Sequence, residues 1–558
     1  MTERAVVTPA EWRWVFVVGL LVVAVTSVPY LVAGLHQTPD RVFSGCILLA
    51  EDCYSYLAKM RQGAEGAWLF HISHTPEEHA GTVLYSLYLS LGKLAMLLPG
   101  ADLTDRLVTA YHIARVAFGL SLLLTVYRFL SALTKSAVTR RLAWAMVAVG
   151  GGLGWLLAAL GQIRWLGSTP LDLYFSEGFA FIAVLGFPHV AASQSLLMLG
   201  LLCLMRAWRG GVAHGHRNPD PALPTPKRLA RDSLAASAKW AALSGLLWLL
   251  MGMIAPFYVP VAWAVAGSAW IVLCLRQESG TAFQWREAGF AGLAGLISAP
   301  VVVYSAWVFT SDPVYGAWAA QNRILSPHPL HYLAAYGLPL ALALFAVKGA
   351  WRGKDRAWLA LAWVAVVPLL VCLPLNIQLR LSTGVQVPLS LLAGLGAEQL
   401  RKAGRRWLVR ALLVPMIPTS LFLLGSSAAW MTGRPAPSFR ESSEVAALEW
   451  LSARSEVGDV VLTAYESGSY LPARVNARVL VGHDLEAKDA DQKKELVERF
   501  FGEASEDAWR RRFLEQYGVD YVLWGPAERR LGGFDPATAP YLREAYDSGG
   551  HTVFEVEP

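Results

Sequence analysis

Long apolar runs separated by short polar stretches dominate the chain between residues 14 and 430. About 20 mostly apolar residues are long enough to cross the hydrocarbon core of a bilayer as a helix, and the chain offers this length repeatedly. The pattern therefore predicts a polytopic α-helical membrane protein with about eleven spans. The predicted spans are 14–35, 107–130, 142–160, 188–206, 240–255, 256–275, 288–309, 331–347, 358–375, 387–400 and 407–430.

One further apolar segment, 82–98, is short for a span and carries Lys93. If it crossed the membrane, the three basic residues of the later loop 135–141 would fall outside, against the positive-inside rule. We therefore expect an interfacial helix within a long first outer loop, 36–106. The N-terminus is then cytoplasmic, and the protein is expected to be a multi-pass protein of the cell inner (plasma) membrane. The basic loops that fall on the cytoplasmic side are 209–239, 276–286, 348–356 and 401–410.

The chain changes character from Gly433 onward, where it becomes charged and its apolar runs shrink to strand length. Alternating strands and helices predict a small α/β domain with a mainly parallel sheet. The predicted division is a transmembrane domain at 1–432 and an extracytoplasmic α/β domain at 433–558. Its predicted helices are 444–454, 491–501 and 506–517, and its predicted strands are 459–463, 477–481, 520–524 and 552–556.

Composition agrees with the membrane interpretation, because 55% of the residues are hydrophobic and only 16% are charged. The formal net charge of +6 comes with basic residues that cluster in short loops between apolar spans. No basic surface interleaved with aromatic residues is evident, so a nucleic-acid partner is not expected. The expected surroundings are the lipid bilayer.

Two cysteines, Cys46 and Cys53, flank an acidic pair in the first outer loop. A disulfide is consistent with an extracytoplasmic location. If the segment is helical, however, seven residues separate the two Cα atoms by about 10 Å, which is beyond disulfide reach. The bridge is therefore an open alternative that the helical interpretation disfavours.

The acidic pair itself, Glu51-Asp52, follows the first span and lies among aromatic residues such as Tyr56. A carboxylate in such a loop can act as a general base toward a hydroxyl or an amine. The alternative is a solvated carboxylate or a salt bridge to Lys59 or Arg61. Charged side chains next to a membrane favour a functional interpretation.

Farther along the same loop, three histidines and two glutamates have the residue types of metal ligands. Their spacing matches no zinc signature, and the simpler interpretation is a set of polar residues near lipid head groups. No metal site and no cofactor are predicted from them, although a divalent metal ion stays an open alternative. The residues are His71, His74, Glu77, Glu78 and His79.

Single polar residues at the predicted outer ends of later spans form a second set, with Glu177, His189, Arg323 and Arg380 as its members. An arginine at such a position can snorkel to the interface, or it can hold a phosphate bidentately. Two arginines and a histidine on the same face as the acidic pair suit a substrate that carries a lipid phosphate.

This plan resembles the GT-C superfamily of membrane glycosyltransferases, especially its protein mannosyltransferase-like and aminoarabinose-transferase-like branch. The resemblance rests on Glu51-Asp52 in a long loop after the first span, the interfacial helix, an arginine-containing outer loop before a late span, and an outer C-terminal domain. It implies a sugar donor on a polyprenyl phosphate, inversion at the anomeric carbon, and an aspartate in the first outer loop as the base. By this resemblance Asp52 is the best match for the base, Glu51 the next, Glu177 the second outer-loop acid, and Arg380 the donor-phosphate contact.

The chain departs from the family pattern in having Glu-Asp rather than Asp-Glu, so the choice of base between Asp52 and Glu51 stays open. The first outer loop also has no Asp-x-Asp metal motif, so no metal is assumed. Tyr56 and Lys59 complete the predicted substrate-binding set. The predicted function is transfer of a sugar from a polyprenyl-phosphate donor to a glycan, lipid or protein acceptor. The alternatives are a lipid or polysaccharide transporter or flippase, and a non-catalytic membrane scaffold.

Overall fold

The computed structural model describes residues 7–208, 226–276, 284–353 and 355–557. Parts of the predicted basic loops, 209–225 and 277–283, lie outside the described residues. The helices that precede the C-terminal region are α1 (Pro9–Leu35), α2 (Ala50–Ala64), α3 (Ser86–Ala95), α4 (Leu103–Leu133), α5 (Ala137–Val149), α6 (Gly154–Ala159), α7 (Leu171–Tyr174), α8 (Ala180–Gly186), α9 (Pro188–Ala207), α10 (Pro226–Ile254), α11 (Tyr258–Leu275), α12 (Trp285–Ser311), α13 (Pro313–Gln321), α14 (Pro329–Arg352), α15 (Trp358–Leu370), α16 (Gln386–Lys402), α17 (Arg406–Leu413) and α18 (Pro418–Thr432).

The C-terminal region adds five helices and six of the seven strands found in the described chain. The helices are α19 (Ser442–Ser452), α20 (Tyr465–Arg474), α21 (Ala490–Phe501), α22 (Asp507–Tyr517) and α23 (Pro526–Arg529). The strands are β1 (Arg41–Phe43) in the first outer loop, and then β2 (Phe439–Glu441), β3 (Val460–Leu462), β4 (Arg478–Val479), β5 (Val519–Trp524), β6 (Leu542–Asp547) and β7 (Thr552–Val556).

Nine helical stretches within the described residues are long and apolar enough to cross a membrane. The protein is therefore a multi-pass membrane protein. The other two predicted spans coincide with α15, of 13 residues, and α16, of 17 residues, so the count of eleven stays a prediction. The nine stretches are Pro9–Leu35, Leu103–Leu133, Ala137–Ala159, Pro188–Ala207, Leu234–Ile254, Tyr258–Leu275, Trp285–Ser311, Pro329–Arg352 and Arg406–Thr432.

Helix α3 coincides with the segment that we expect to lie along the interface. Its ten residues extend about 15 Å, half of the hydrocarbon thickness. A helix of this length is too short to cross the hydrocarbon core, and its place along the interface stays a prediction.

Large apolar side chains on the spanning helices are exposed, which indicates contact with lipid. Leu21 of α1 is 58% exposed, Leu296 of α12 is 72% exposed and Leu344 of α14 is 66% exposed. Water-soluble proteins rarely expose contiguous apolar surface of this kind.

The chain forms two compact units. Unit 1 comprises Met1–Thr26, Arg115–Ser305 and Ile324–Leu424. Within it, α14 packs along α16 and α9 packs along α10. Unit 2 comprises Ser27–Ala114, Ala306–Arg323 and Gly425–Pro558. The proposed boundary at 433 stays a prediction.

Unit 2 is built around α2, which packs against α3 on one side and α20 on another. The contact with α3 uses two glycines reciprocally. A Cβ at Gly63 of α2 would overlap the carbonyl of Leu89, and a Cβ at Gly92 of α3 would overlap the carbonyl of Met60. Small residues at such positions let two helix backbones approach closely.

The main sheet of unit 2 has five strands in the order β4-β3-β5-β7-β6. Strands β4, β3 and β5 are parallel, whereas β7 is antiparallel to both β5 and β6. The sheet is therefore mixed, and the expectation of a mainly parallel sheet is wrong at this edge. The reason is the hairpin that β6 and β7 form. A separate antiparallel pair joins β1 to β2.

Candidate functional site

The acidic pair lies in the first turn of α2, in unit 2. Leu49 adopts a left-handed conformation with φ 43°, and the helix begins at Ala50. Glu51 and Asp52 are thus at the helix N-terminus, where the helix dipole stabilises negative charge. The helix holds the two carboxylates in one turn. Their functional role stays a prediction.

A disulfide joins Cys46 to Cys53, with the Cα atoms 6.0 Å apart. The sequence-based argument against this bridge is wrong, because it assumed a helix through both residues. The left-handed Leu49 reverses the chain before α2 and brings Cys46 back beside the first helical turn.

Asp52 is hydrogen-bonded to His483, which lies in the C-terminal region of unit 2. The distance from His483 Nε2 to Asp52 Oδ1 is 3.3 Å. The Asp52 side chain is 36% exposed, whereas that of His483 is only 7% exposed. Asp52 therefore combines access to solvent with a fixed partner.

Two backbone N–H groups fix the orientation of the His483 ring. Its Nδ1 accepts from the N–H groups of Leu485, at 3.2 Å, and Glu486, at 3.4 Å. Burial lowers the pKa of His483, but the hydrogen bond with Asp52 and the charge of Glu486 outweigh burial and raise it overall. Nε2 carries a hydrogen both in the neutral ring that accepts at Nδ1 and in the cation, but only the neutral ring can accept from the two backbone N–H groups.

Glu51 has a different partner from the same region. The hydroxyl of Tyr465 donates to Glu51 Oε2 at 2.9 Å and accepts from the N–H of Asp484 at 3.2 Å. Burial and the neighbouring Glu51 carboxylate raise the pKa of Tyr465, so this tyrosine stays a neutral donor. Each carboxylate of the pair therefore receives a hydrogen bond from the C-terminal region.

Lys59 is buried, with its side chain 1% exposed, and forms an ion pair with Glu486 at 2.7 Å. Its Nζ also donates to Ser55 Oγ and lies 4.5 Å from the centroid of the Tyr85 ring. Arg61 pairs with Glu65 at 3.3 Å. The alternative in which Glu51 or Asp52 forms a salt bridge with Lys59 or Arg61 is therefore wrong. The substrate-binding role predicted for Lys59 stays untested.

The Glu486 carboxylate accepts hydrogen bonds from three side chains, those of Lys59, Ser55 and His74. Ser55 donates to Oε1 at 2.7 Å and His74 Nδ1 donates to Oε2 at 3.1 Å. Burial acts to raise the pKa of Glu486, but Lys59 and His74 overcome it and hold the pKa well below its usual range. Burial lowers the pKa of His74, which keeps this histidine neutral with its hydrogen on Nδ1.

Two further members of the His/Glu set, His79 and Glu77, have structural partners. His79 donates from Nδ1 to the carbonyl of Glu77 and accepts at Nε2 from the N–H of Ile72, both at 2.8 Å. Lys493 pairs with Glu77 at 2.7 Å. Within the part of the chain that the structure describes, no group of three or more His, Cys, Asp or Glu side chains is placed to hold a metal ion.

Two further predicted residues lie in unit 2. Tyr56 stacks on Tyr88 with ring centroids 4.5 Å apart and an interplanar angle of 6°. Arg323 is exposed, two residues beyond the end of α13. The last residue of α13, Gln321, donates to the carbonyls of Asp484 and Leu485 at 3.2 and 3.3 Å.

A cavity of about 490 Å³ lies near the other end of α2. The first outer loop contributes carboxylate, imidazole and amide groups, and the C-terminal region contributes Arg478 and Asn476. Arg478 donates to the carbonyls of Gly458 and Pro76 at 2.8 and 2.9 Å, so it fixes the walls of the cavity.

In unit 1 the structure joins two residues that the sequence singled out independently. Arg380 Nε lies 3.6 Å from Glu177 Oε1, with the two side chains 23% and 12% exposed. The Arg380 guanidinium also lies 4.9 Å from the centroid of the Phe257 ring. His189 is half-buried near the start of α9, with its ring 6.2 Å from that of Phe187.

The sequence-based search missed His483, Glu486 and Tyr465, because they lie more than 400 positions from the acidic pair. A signal was present in Val481-Gly482-His483-Asp484-Leu485-Glu486. These residues follow β4, at the carboxyl end of a parallel strand, where ligands of α/β sheets commonly bind.

No protein-family model and no curated protein matches the chain. Among solved structures, the Archaeoglobus fulgidus oligosaccharyltransferase in the apo form matches with a TM-score of 0.53 at 13% identity, over 99% of this chain and 75% of that chain. AglB from the same organism, in complex with an inhibitory peptide and a dolichol-phosphate, matches with a TM-score of 0.52 at 12% identity, over 93% and 70%.

The likeness to ArnT from Cupriavidus metallidurans bound to undecaprenyl phosphate is weaker, with a TM-score of 0.46 at 12% identity over 98% of each chain, and supports no conclusion. At such identities the oligosaccharyltransferase matches show the fold alone. The chain is a multi-pass membrane protein with the fold of the GT-C membrane glycosyltransferases.

Proposed function

We propose that the protein is a membrane glycosyltransferase that moves a sugar from a polyprenyl-phosphate donor to an extracytoplasmic acceptor. The observation that carries the proposal is Asp52, a partly exposed carboxylate at a helix N-terminus with a fixed hydrogen-bond partner. The fold supports it, because one structure with this fold contains a dolichol-phosphate.

In the proposed reaction, the acceptor hydroxyl or amine attacks the anomeric carbon of the sugar. The bond between that carbon and the phosphate oxygen breaks, and the polyprenyl phosphate leaves with the electron pair. Asp52 takes the proton that the acceptor loses, as a general base. Attack on the face opposite the phosphate inverts the anomeric carbon.

Arg380 is the proposed contact for the donor phosphate, because a guanidinium binds phosphate oxygens in a bidentate manner. Glu177 holds this guanidinium from one side. The negative charge that the departing phosphate develops is then stabilised by a preorganised cation. His189, Arg323 and Tyr56 are proposed as further substrate contacts.

The test is a donor screen with the purified protein in liposomes. Labelled polyprenyl-phosphate sugars and labelled nucleotide sugars are supplied separately, together with a membrane extract as the source of acceptor. We expect transfer only from the lipid-phosphate donors. Transfer from nucleotide sugars alone would contradict the proposal, and movement of the intact labelled lipid across the bilayer without transfer would indicate a transporter.

A further inference from the structure

We propose that His483, a residue of the C-terminal α/β region, is the positioning residue for Asp52. This inference rests on the proposed function, since Asp52 is the base only in that reaction. The observation that carries it is the hydrogen bond from His483 Nε2 to Asp52 Oδ1, together with the two backbone N–H groups that orient the ring through Nδ1.

The loop that carries His483, residues 483–489, is held independently of Asp52. The N–H of Ala487 donates to the His483 carbonyl at 2.9 Å and closes a turn. Gln321 of α13 donates to the carbonyl of Ala487 at 2.7 Å and accepts from the N–H of Asp489 at 3.2 Å. Thr75 accepts from the N–H of Lys488 at 3.2 Å.

The buried ion pair adds a third anchor to this loop. Glu486 is bound by Lys59 and Ser55 of α2 and by His74 of the first outer loop. Because α2 also carries Asp52, the same helix both anchors the 483–489 loop and positions Asp52. The position of the His483 ring relative to Asp52 is thus set by several bonds rather than by their mutual contact alone.

The groups that face the His483 ring have opposite effects on its charge. The carboxylates of Asp52 and Glu486 favour the cation, whereas Lys59 disfavours it, and the neutral His74 ring lies 5.6 Å away. Nε2 carries a hydrogen in both charge states, but Nδ1 can accept from the N–H groups of Leu485 and Glu486 only in the neutral ring. The arrangement in which the backbone orients the ring and Nε2 donates to Asp52 is therefore that of the neutral histidine.

This bond has a direct consequence for the proposed chemistry. Because Asp52 Oδ1 is hydrogen-bonded to His483, Oδ2 is the oxygen that takes the proton from the sugar-accepting substrate. A held carboxylate also loses less rotational freedom on reaching the transition state, as expected for a preorganised base. The C-terminal region therefore completes the catalytic carboxylate in addition to any contact with the acceptor.

Two substitutions separate the two bonds of the ring. In His483→Asn, the amide oxygen can replace Nδ1 as the acceptor for the N–H groups of Leu485 and Glu486, but the shorter side chain does not reach Asp52. In His483→Gln, the longer amide can replace Nε2 as the donor to Asp52, but the two N–H groups lose their acceptor. Each variant thus keeps the bond that the other loses.

The experiment measures kcat, KM and the thermal unfolding midpoint of the wild type and both variants with the polyprenyl-phosphate donor identified in the screen. We expect His483→Asn to lower kcat on the order of 10- to 100-fold with an unchanged donor KM and with a midpoint lowered only by the loss of the one hydrogen bond to Asp52. We expect His483→Gln to have a lower midpoint but to recover most of kcat.

Two outcomes overturn the inference without touching the proposed function. These are a wild-type rate in His483→Asn, and losses of kcat that follow the unfolding midpoint in both variants. An inactive wild type would instead overturn the proposed function. In that case the coupling of His483 to Asp52 is still tested by the unfolding midpoints of His483→Asn, Asp52→Asn and the double variant, because independent residues give additive shifts.

Discussion

Asp52 and Glu486 belong to one hydrogen-bonded group of side chains but have different surroundings. The side chain of Asp52 is 36% exposed and accepts from a histidine, whereas that of Glu486 is 6% exposed and faces a lysine. An exposed, oriented carboxylate can accept a proton from a substrate, but a buried carboxylate paired with Lys59 has its charge already compensated. Of the two acids, Asp52 is therefore the better candidate for the proposed base.

Residue type and place after the first span predict the acidic pair Glu51-Asp52, and the family resemblance favours Asp52 within it. Its partner could not be predicted, because His483 lies 431 positions away and no local pattern encodes that contact. The alternative of a salt bridge from the acidic pair to Lys59 was wrong for the same reason, because the tertiary structure pairs Lys59 with the distant Glu486.

At the same scale, Arg380 tests the donor side of the proposal. We expect Arg380→Ala to raise the donor KM and to lower kcat, with kcat/KM falling by about 100-fold or more, because the developing phosphate charge loses its cation. Arg380→Lys keeps the charge but loses the bidentate geometry, so it should recover only part of the activity. Steady-state kinetics with varied donor concentration measure both effects.

The control is Arg164→Ala, since Arg164 is an exposed arginine outside the proposed site. It should leave kcat and KM unchanged. Unchanged kinetics in Arg380→Ala would show that Arg380 serves only to anchor its segment.

Among the elements, those with strong periodicity were predicted well. Predicted helices at 491–501 and 506–517 correspond to α21 and α22, and predicted strands at 520–524 and 552–556 correspond to β5 and β7. Helix α20 was not predicted, because it contains Gly468 and Pro472, both of which oppose a helix. It is stabilised by tertiary packing against α2.

Strand β6 was missed for another reason. Its sequence, LREAYD, is mostly polar, and only its first residue, Leu542, is buried, because the strand lies at the edge of the sheet. An edge strand has one neighbour and needs little apolar surface, so the pattern of alternating residues is weak. Once β6 was overlooked, the antiparallel hairpin with β7 could not be inferred.

The packing of α2 against the C-terminal region leads to a prediction about stability. Lys59→Met leaves the Glu486 carboxylate buried without its cation and should lower the free energy of unfolding by about 3 to 5 kcal/mol. The double variant Lys59→Met/Glu486→Gln removes both charges and should be less destabilised than the sum of the single changes. Denaturant unfolding in detergent measures the differences.

Lys402→Met provides the matched control, because Lys402 is 71% exposed in its pair with Glu398. Loss of an exposed pair should cost at most about 1 kcal/mol. If Lys59→Met cost no more than this control, the ion pair would not anchor the 483–489 loop.

For the whole molecule, composition and hydropathy predict a multi-pass membrane protein with a distinct C-terminal region, and both features are present. What they do not reveal is which distant segments pack together. Unit 2 combines 27–114 and 306–323 with the residues from 425 onward, although the composition changes at Gly433. Local composition indicates whether a segment lies in lipid or in water. The division into compact units depends instead on contacts between segments that are far apart in the chain.

The disulfide tests the side of the membrane on which the first outer loop lies. Disulfides persist in oxidising compartments and are rare in the cytoplasm, so the predicted extracytoplasmic location requires Cys46 and Cys53 to be oxidised in cells. Trypsin cleaves after Arg41 and Lys59, which places both cysteines in the peptide 42–59. We expect mass spectrometry to find this peptide alkylated only after reduction.

The control is Cys372, a free cysteine, which should be alkylated after denaturation without any reductant. If the peptide 42–59 were fully alkylated under the same conditions, the loop would face the cytoplasm. The predicted orientation would then be wrong.

The most direct measurement is sugar transfer from the polyprenyl-phosphate donor by Asp52→Asn, with Glu51→Gln measured beside it. If Asp52 is the base, Asp52→Asn should lower kcat by about 10² to 10⁴-fold while donor binding and the unfolding midpoint stay near those of the wild type. Glu51→Gln should retain most of the activity. Full activity in Asp52→Asn would contradict the account, and loss confined to Glu51→Gln would assign the base to Glu51.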